Sequence, residues 1–409
     1  MKIPNFSKKC KKLGLKLDQI KSIENLLKKN GGKLFLVGGN VRDIILEKKM
    51  SSNPDIVANL PIEKVIEFLE KKKILISKIG LKFSSIVIRY KGISIDLTSM
   101  RKDLNTDGRW ADTLYTNEIL EDAKRRDFTI NAIYCDTSGK IYDPFNGVKD
   151  LKKSRVKFID SPEERINQDF LRILRFLRFS YKFSDELDEE GALACKKLIK
   201  NIRKLSFERR IQELEKILLL KNVGNKKIIK NLAPYIENSI GSKICIERFD
   251  YLCDLEKSLK NSSFERRFKF LIRKSRKKNL EILKKMKNKT KDRILKKINL
   301  PKENKKEMNL FFYNYPKDLI VDQLIEDYSD RKISKNKFLK LMDFNKFFKK
   351  IELPINGNDL IKIGFKKGKK VGEVLEKVKN WWIYNDFRPK KEECKSFARK
   401  NLPTRGWRK

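Results

Sequence analysis

The chain has 409 residues, more than one core usually organises, so two to four subdomains are expected. Its 98 Lys and Arg against 54 Asp and Glu leave a net charge of +44. Such a field implies a polyanionic partner, most simply nucleic acid, because phosphate contacts release condensed counterions. There is no histidine, which excludes His-dependent acid–base chemistry and His-ligated zinc.

Six cysteines, Cys10, Cys135, Cys195, Cys245, Cys253 and Cys394, form no Cys-x-x-Cys pair and no regular spacing. Neither a disulfide framework nor a thiolate metal site is expected, and a reducing cytoplasm is. No run of about eighteen apolar residues suggests a membrane span, and the basic N-terminus leads into an amphipathic stretch rather than a signal-peptide core.

In chain order, residues 17–29 carry Leu17, Ile20, Ile23, Leu26 and Leu27 at helical spacing and end at Gly31-Gly32. The next stretch, Leu34-Phe-Leu-Val-Gly-Gly-Asn-Val-Arg-Asp43, reads as strand, tight turn and helix. Gly38 and Gly39 lack a Cβ, so their amides can approach an oxyanion at a helix N-terminus, where negative charge is favoured. Arg42 on the first turn can add a bidentate phosphate contact. Taken alone, such a glycine pair only serves the turn.

A helix at 62–70 and β-like runs at 73–79, 85–90 and 93–98 complete a small mixed α/β unit. Two acidic elements fall within it, Asn53-Pro-Asp55 and Ser94-Ile-Asp96. Residues two apart in a strand share a side, so Asn53 and Asp55 should project together and meet Asp96 from a neighbouring strand. Hard oxygen ligands so arranged suit Mg²⁺, with its remaining positions left for phosphates and water.

The most specific segment is Lys124-Arg-Arg-Asp-Phe-Thr-Ile-Asn-Ala-Ile-Tyr-Cys-Asp136. Tyr142-Asp-Pro-Phe-Asn-Gly147 follows, and then Gln168-Asp-Phe-Leu-Arg-Ile-Leu-Arg-Phe-Leu-Arg-Phe179, read as one helix. On it Asp169 and Arg172, three apart, share a face and present an acceptor and a fork of donors to a base edge. Arg175 and Arg178 continue the stripe, while Leu171, Leu174 and Phe179 pack in the core.

The remainder is helical and basic, with apolar residues such as Ile228, Leu232, Leu252 and Phe268 interspersed among Lys and Arg. A boundary is expected where the lysine run 284–297 stops before Pro301. Beyond it, Gly364, Gly368 and Gly372 recur every fourth residue among lysines, an arrangement equally suited to gripping an RNA backbone and to joining two helices. Trp381 and Trp382 are expected to anchor a core rather than stack bases. A frayed basic terminus is expected at 405–409.

Five motifs in this order, Gly38–Asp43, Arg125–Ala132, Tyr142–Gly147, Gln168–Phe179 and Glu208–Leu218, resemble the class II tRNA nucleotidyltransferase and poly(A) polymerase family. The resemblance implies an α+β protein. A polymerase-β-like nucleotidyltransferase head over 1–150 would be followed by an elongated helical neck over 151–220, a body over 221–295 and a basic RNA-binding tail over 296–409. It implies template-independent addition of CMP and AMP from CTP and ATP to the 3′ end of tRNA, with Mg²⁺ as cofactor and no DNA or membrane partner. Gly38, Gly39 and Arg42 would hold the triphosphate. Asp127 would meet the ribose, with Arg125 and Arg126 near the phosphates and Asn131 steadying the strand. Asp169 and Arg172 would read the base, and Arg175 and Arg178 would contact the nucleotide or the tRNA end.

The chain departs from the family pattern in its catalytic head. Asn53 stands where the first carboxylate of Asp-x-Asp is expected, leaving Asp55 and Asp96 as the acidic metal ligands. Lys82-Phe-Ser-Ser85 replaces Glu-His-Gly-Thr, Trp110 stands where His is frequent, and Gln168 replaces Glu. An amide oxygen can coordinate Mg²⁺ but brings no charge, so metal affinity should fall. A poly(A) polymerase is the rival enzyme, and a silenced RNA-binding homologue is the rival of another class.

Overall fold

A computed structural model describes residues 1–29, 31–48, 53–107, 110–275 and 283–401. Residues 108–109, ahead of Trp110, and the basic end at 405–409 lie outside the described residues, as does the Trp110 side chain. The chain divides into two compact units, Met1–Lys243 and Ile244–Lys409.

The first unit opens with α1 (Phe6–Leu13) and α2 (Leu17–Lys28), the latter burying Leu17, Ile20, Ile23 and Leu27. Then come β1 (Leu34–Val37), α3 (Gly39–Ile45), β2 (Asp55–Ala58), α4 (Ile62–Lys71), β3 (Leu75–Ser77), β4 (Ser85–Tyr90) and β5 (Ile93–Ser99). A separate hairpin, β6 (Arg101–Asp107) and β7 (Trp110–Tyr115), precedes α5 (Ile119–Lys124), β8 (Tyr134–Asp136) and β9 (Ile141–Tyr142). The sheet order is β3-β4-β5-β2-β1-β8-β9, antiparallel except that β2 and β5 run parallel. β5 shows why the sequence was legible here: Ile95, Leu97 and Ser99 are buried while Asp96 and Thr98 turn to the other side.

Two expectations are corrected. The β2 ladder starts at Asp55, because Pro54 has no N–H to donate and only its carbonyl takes part, accepting from Asp96 N at 3.0 Å. Asn53 therefore lies in a bend ahead of the strand, exposed, and the period-two argument does not reach it. Asn131 steadies no strand; it sits on a single 3₁₀ turn, Thr129–Asn131.

After α6 (Gly147–Lys152), α7 (Pro162–Gln168) and α8 (Leu171–Phe183) replace the single helix expected over 168–179. The break falls at Asp169, whose backbone is extended (φ −158°, ψ 108°). Its carboxylate accepts from Leu171 N at 3.1 Å, so the residue ends one helix and starts the next. α9 (Glu189–Lys197), α10 (Phe207–Leu218) and α11 (Lys226–Ile240) complete the unit. Phe128 packs edge-on against Phe158 at 4.9 Å, and Phe158 stacks on Phe176 at 5.2 Å, fixing α8 to the segment that carries Asp127.

The second unit is helical. Arg266, buried on helix Phe264–Leu271, bonds Glu256 at 2.6 Å and Asp322 at 2.9 Å, and Arg293 on helix Asn288–Leu295 reaches the same Asp322 at 2.5 Å. The boundary expected near 295/296 thus falls inside a connected charge network. Trp382 is buried with its indole N–H on Pro389 O at 3.1 Å, and Trp381 stacks on Phe397 at 4.3 Å, both as core anchors. Gly364 and Gly368, at positive φ, join helix Gly357–Lys362 to helix Lys369–Tyr384.

The Tyr142–Gly147 motif acquires a reason. Asp143 accepts from Gly147 N at 2.7 Å and Val148 N at 2.9 Å, and a Cβ at Gly147 would run into the Thr129 carbonyl. Gly147→Ala should therefore cost about 1–3 kcal/mol and displace the 3₁₀ turn, seen as a lowered urea midpoint at unchanged m-value.

Candidate functional site

The first unit holds a cleft of about 550 Å³ lined by both glycines of the β1–α3 turn, by Asp55 and Asp96 on the sheet, and by residues of α8 and the Arg125–Asn131 segment. Six arginines and four aspartates face it, a balance suited to a polyanionic ligand that brings its own cation. Of the residues singled out from sequence, Gly38, Gly39, Arg42, Asp55, Asp96, Arg125, Arg126, Asp127, Asn131, Asp169, Arg172 and Arg175 are brought together; Asn53 and Arg178 are not among the lining residues. Arg178 instead pairs with Glu213 of α10 at 2.6 Å, a nearly buried contact within the helices.

Gly38 takes φ +57° and ψ −111°, a backbone that needs glycine and that turns the chain from β1 into α3. Arg42 is buried: its guanidinium donates to Ile130 O at 3.2 Å and to the Asn131 side-chain oxygen, and it lies over the Phe179 ring at 5.2 Å. Burial lowers its pKa to about 10 against the pull of Asp127. Asn131 passes the connection on, donating to Asp127 Oδ1 at 2.7 Å.

Asp127 is the hub. Its Oδ1 also accepts from Phe128 N at 3.0 Å, and its Oδ2 pairs with Arg175 Nε at 2.6 Å. Burial alone would raise this carboxyl, but Arg175 and the hydrogen bonds from Asn131 and Arg175 hold it at about 2. One lone pair stays open on Oδ2 for a hydroxyl donor.

Arg125 and Arg126 converge on Asp122, a fully buried carboxylate that sequence reading did not single out, at 2.8 Å and 3.0 Å. Its position three and four residues before the arginines on α5 was the available signal. Burial opposes its charge, yet the two arginines hold it well below the usual carboxylate range, and Arg126 is pushed correspondingly upward. Arg101, Arg165 and Arg209 were likewise missed. Arg101 lines the cleft and donates to Phe83 O, Arg165 clamps the carbonyls of Lys124 and Arg126, and Arg209 pairs with Asp169 Oδ2 at 2.7 Å. Arg172 donates to Arg165 O at 2.9 Å, Gln168 Oε1 at 2.8 Å and Arg125 O at 3.1 Å, so Gln168 keeps the acceptor that a glutamate would supply.

Asp55 and Asp96 are direct register partners on the parallel β2–β5 pair. Loss of solvent and then the neighbouring Asp96 carboxylate push the Asp55 carboxyl up, against Arg126 and Arg42. Two carboxylates that repel in this way fit a divalent cation, and Mg²⁺ commonly takes one or two protein carboxylates with phosphates and water. No group of three acidic, Cys or His ligands occurs among the described residues, in keeping with Asn53 standing outside the pair. At the position of the erased Glu-His-Gly-Thr stretch, Phe83 and Ser85 line the cleft, and Ser84 adopts φ +51°.

Comparison with known proteins gives a consistent picture. A family model described as the poly A polymerase head domain matches residues 34–157. Human mitochondrial CCA tRNA nucleotidyltransferase 1 is 28% identical, over 93% of this chain and 90% of its own. The CCA-adding enzyme of Oceanobacillus iheyensis is 36% identical over 190 residues, 46% of each chain. Among solved structures, the Bacillus stearothermophilus CCA-adding enzyme in complex with CTP superposes with a TM-score of 0.69 at 23% identity, covering 94% of this chain and 96% of that one. The Thermotoga maritima CCA-adding enzyme complexed with tRNA gives 0.60 at 21%, covering 97% and 98%.

Two aspartates of this cleft should respond oppositely to neutralisation. Because the Asp127 carboxyl is lowered, its stabilisation is full above the unfolded value near 4 and is lost as pH falls through about 2. Asp127→Asn should cost on the order of 2 kcal/mol at neutral pH, a deficit that closes toward pH 2 in denaturant titrations. Because Asp55 is raised, its ionised form is a burden at neutral pH, so Asp55→Asn should leave the metal-free Tm unchanged or higher while abolishing the stabilisation that Mg²⁺ gives the wild type.

Proposed function

The chain belongs to the class II tRNA nucleotidyltransferase and poly(A) polymerase family, and from that premise we propose that it builds or repairs the CCA end of tRNA from CTP and ATP. It is a nucleotidyltransferase. The observation that carries the more specific reading is the placement of Asp169 and Arg172 in the same cleft as the Gly38-Gly39 turn and the Asp55–Asp96 pair. One cleft thus offers a base-reading edge, a triphosphate seat and a pair of metal-binding carboxylates.

In this reading Gly38 N is already given to Ile133 O at 3.2 Å, so the amide of Gly39 receives the triphosphate, helped by the positive end of α3 and the arginines that line the cleft. The open lone pair of Asp127 receives a ribose hydroxyl. Asp169 accepts from the exocyclic amine of cytosine or adenine while Arg172 donates to the adjacent ring nitrogen, so one acceptor and one donor serve both nucleotides. Asp55 and Asp96 would hold Mg²⁺, which when bound supplies Lewis-acid stabilisation of the phosphoryl group and of the departing pyrophosphate. With Asn53 off the strand, that ion is held by a thinner charge set than the family pattern provides, so the enzyme should need more Mg²⁺.

The net charge of +44 supports tRNA as the partner, and no described helix is long and apolar enough to cross a membrane. The six free, buried cysteines support a reducing compartment and hence the cytoplasm. A poly(A) polymerase is less favoured: the relatives that match over nine-tenths of the chain carry CCA-adding names, whereas the poly A polymerase model matches only the head.

The test is incubation with tRNA lacking its terminal CCA, Mg²⁺ and labelled CTP and ATP. Ordered C, C, A addition is expected, and Asp55→Ala should lower it by roughly a hundredfold or more. Long A tracts would instead support poly(A) synthesis. No incorporation, with rescue by Asn53→Asp, would mark a silenced homologue, and an indifferent Asp55→Ala would remove the metal assignment.

A further inference from the structure

We infer that Arg209 is a positioning residue for base selection: it locks the Asp169 carboxylate in the orientation that accepts the amine of cytosine or adenine and rejects uracil and guanine. The inference rests on the reading of Asp169 as a base-edge acceptor and adds a determinant from a different helix.

Asp169 lies at the break between α7 and α8, on extended backbone, where its side chain is fixed by hydrogen bonds rather than by packing inside a helix. Two contacts do. Leu171 N donates to Oδ1 at 3.1 Å, and Arg209 Nη2 of α10 donates to Oδ2 at 2.7 Å. With one donor on each oxygen the carboxylate plane cannot turn about χ2, a torsion that is otherwise broad. Each oxygen keeps one lone pair, so the group remains an acceptor. At 22% and 24% exposed the pair is not sealed in the core, and its Asp169 half lines the cleft. Arg172, the other half of the reader, is held independently by Arg165 O, Gln168 Oε1 and Arg125 O. Removing Arg209 therefore frees the acceptor and leaves the donor in place.

The chemistry sets the consequence. Cytosine and adenine present an amine beside an unprotonated ring nitrogen, matching an acceptor beside a donor. Uracil and guanine present a carbonyl oxygen beside a ring N–H, so a fixed carboxylate meets that carbonyl with no proton between them. A carboxylate free to swing can retreat from the carbonyl, or reach the ring N–H, and the penalty that rejects the wrong base disappears.

The experiment compares wild type, Arg209→Gln and Arg209→Lys in the full chain, measuring kcat/KM for CTP, ATP, UTP and GTP on tRNA lacking CCA, and equilibrium binding of the same four nucleotides with Mg²⁺. Arg209→Gln should lower CTP and ATP use and narrow the CTP/UTP and ATP/GTP ratios by about tenfold or more, with KM for tRNA unchanged, and Arg209→Lys should recover part of the ratio. A merely structural role would lower all four nucleotides in proportion, and an unchanged ratio overturns the inference. If wild type binds CTP over UTP yet incorporates neither, the proposed reaction fails while the binding ratios still decide the role of Arg209. A wild type that binds all four alike overturns both.

Discussion

The contact on which the rest of the site depends is the ion pair between the buried Asp127 and the partly exposed Arg175. Asp127 belongs to the segment after α5 and Arg175 to α8, so a single carboxylate ties the sheet-bearing half of the unit to the helix that forms the far wall of the cleft. Through Asn131 the same carboxylate reaches Arg42 and the helix that follows the glycine turn. A buried charge is tolerated only when it is paired and hydrogen-bonded, and here every partner lies on an element that the cleft needs. The ordering of the cleft is thereby made before any nucleotide arrives, which lowers the cost of binding one.

The arginines divide by their partners. Arg42, Arg125, Arg126 and Arg165 spend much of their hydrogen-bonding capacity inside the protein, on Asn131, Asp122 and backbone carbonyls. They supply a positive potential more than individual fingers, and a rigid positive wall suits a triphosphate whose charge is partly carried by a cation. The acidic side is sparer. Asp55 and Asp96 oppose each other across adjacent strands, while the residue two before Asp55 is an amide outside the cleft. The cleft is thus richer in arginines than in carboxylates placed to hold a cation.

Much of this was legible in the sequence, for identifiable reasons. β5 alternates apolar and polar residues from Ile93 to Thr98, α2 repeats its apolar residues at helical spacing, and Gly38 marks a turn that needs a glycine backbone. The glycine turn, the Arg125 to Asn131 residues and the Asp169, Arg172 and Arg175 stripe of the lining fell within ordered motifs, whereas Thr98 and Arg101 did not. What failed was local geometry decided by tertiary partners. Asn53 was placed on a strand because alternation says nothing about where Pro54 ends a ladder. The helix over 168–179 was read as continuous because Asp169 is compatible with helix, and only its capping of Leu171 reveals the break. Arg178 shares the α8 stripe with Arg175 but meets Glu213, a partner 35 residues away whose approach no periodicity encodes. Asp122 could have been found from its spacing to Arg125 and Arg126; Arg209 lies inside the Glu208–Leu218 motif, but its pairing with Asp169, 40 residues away, is encoded in no spacing.

The central claim is that one cleft seats base, triphosphate and metal together. It is tested most directly by a crystal structure with a nonhydrolysable CTP analogue and Mn²⁺, the ion located by its anomalous signal. The account predicts the base edge against Asp169 and Arg172, the triphosphate at the glycine turn on the amide of Gly39, and the ion between Asp55 and Asp96 without Asn53. An analogue bound elsewhere, or a cleft left empty beside the glycine turn at saturating nucleotide, would contradict it.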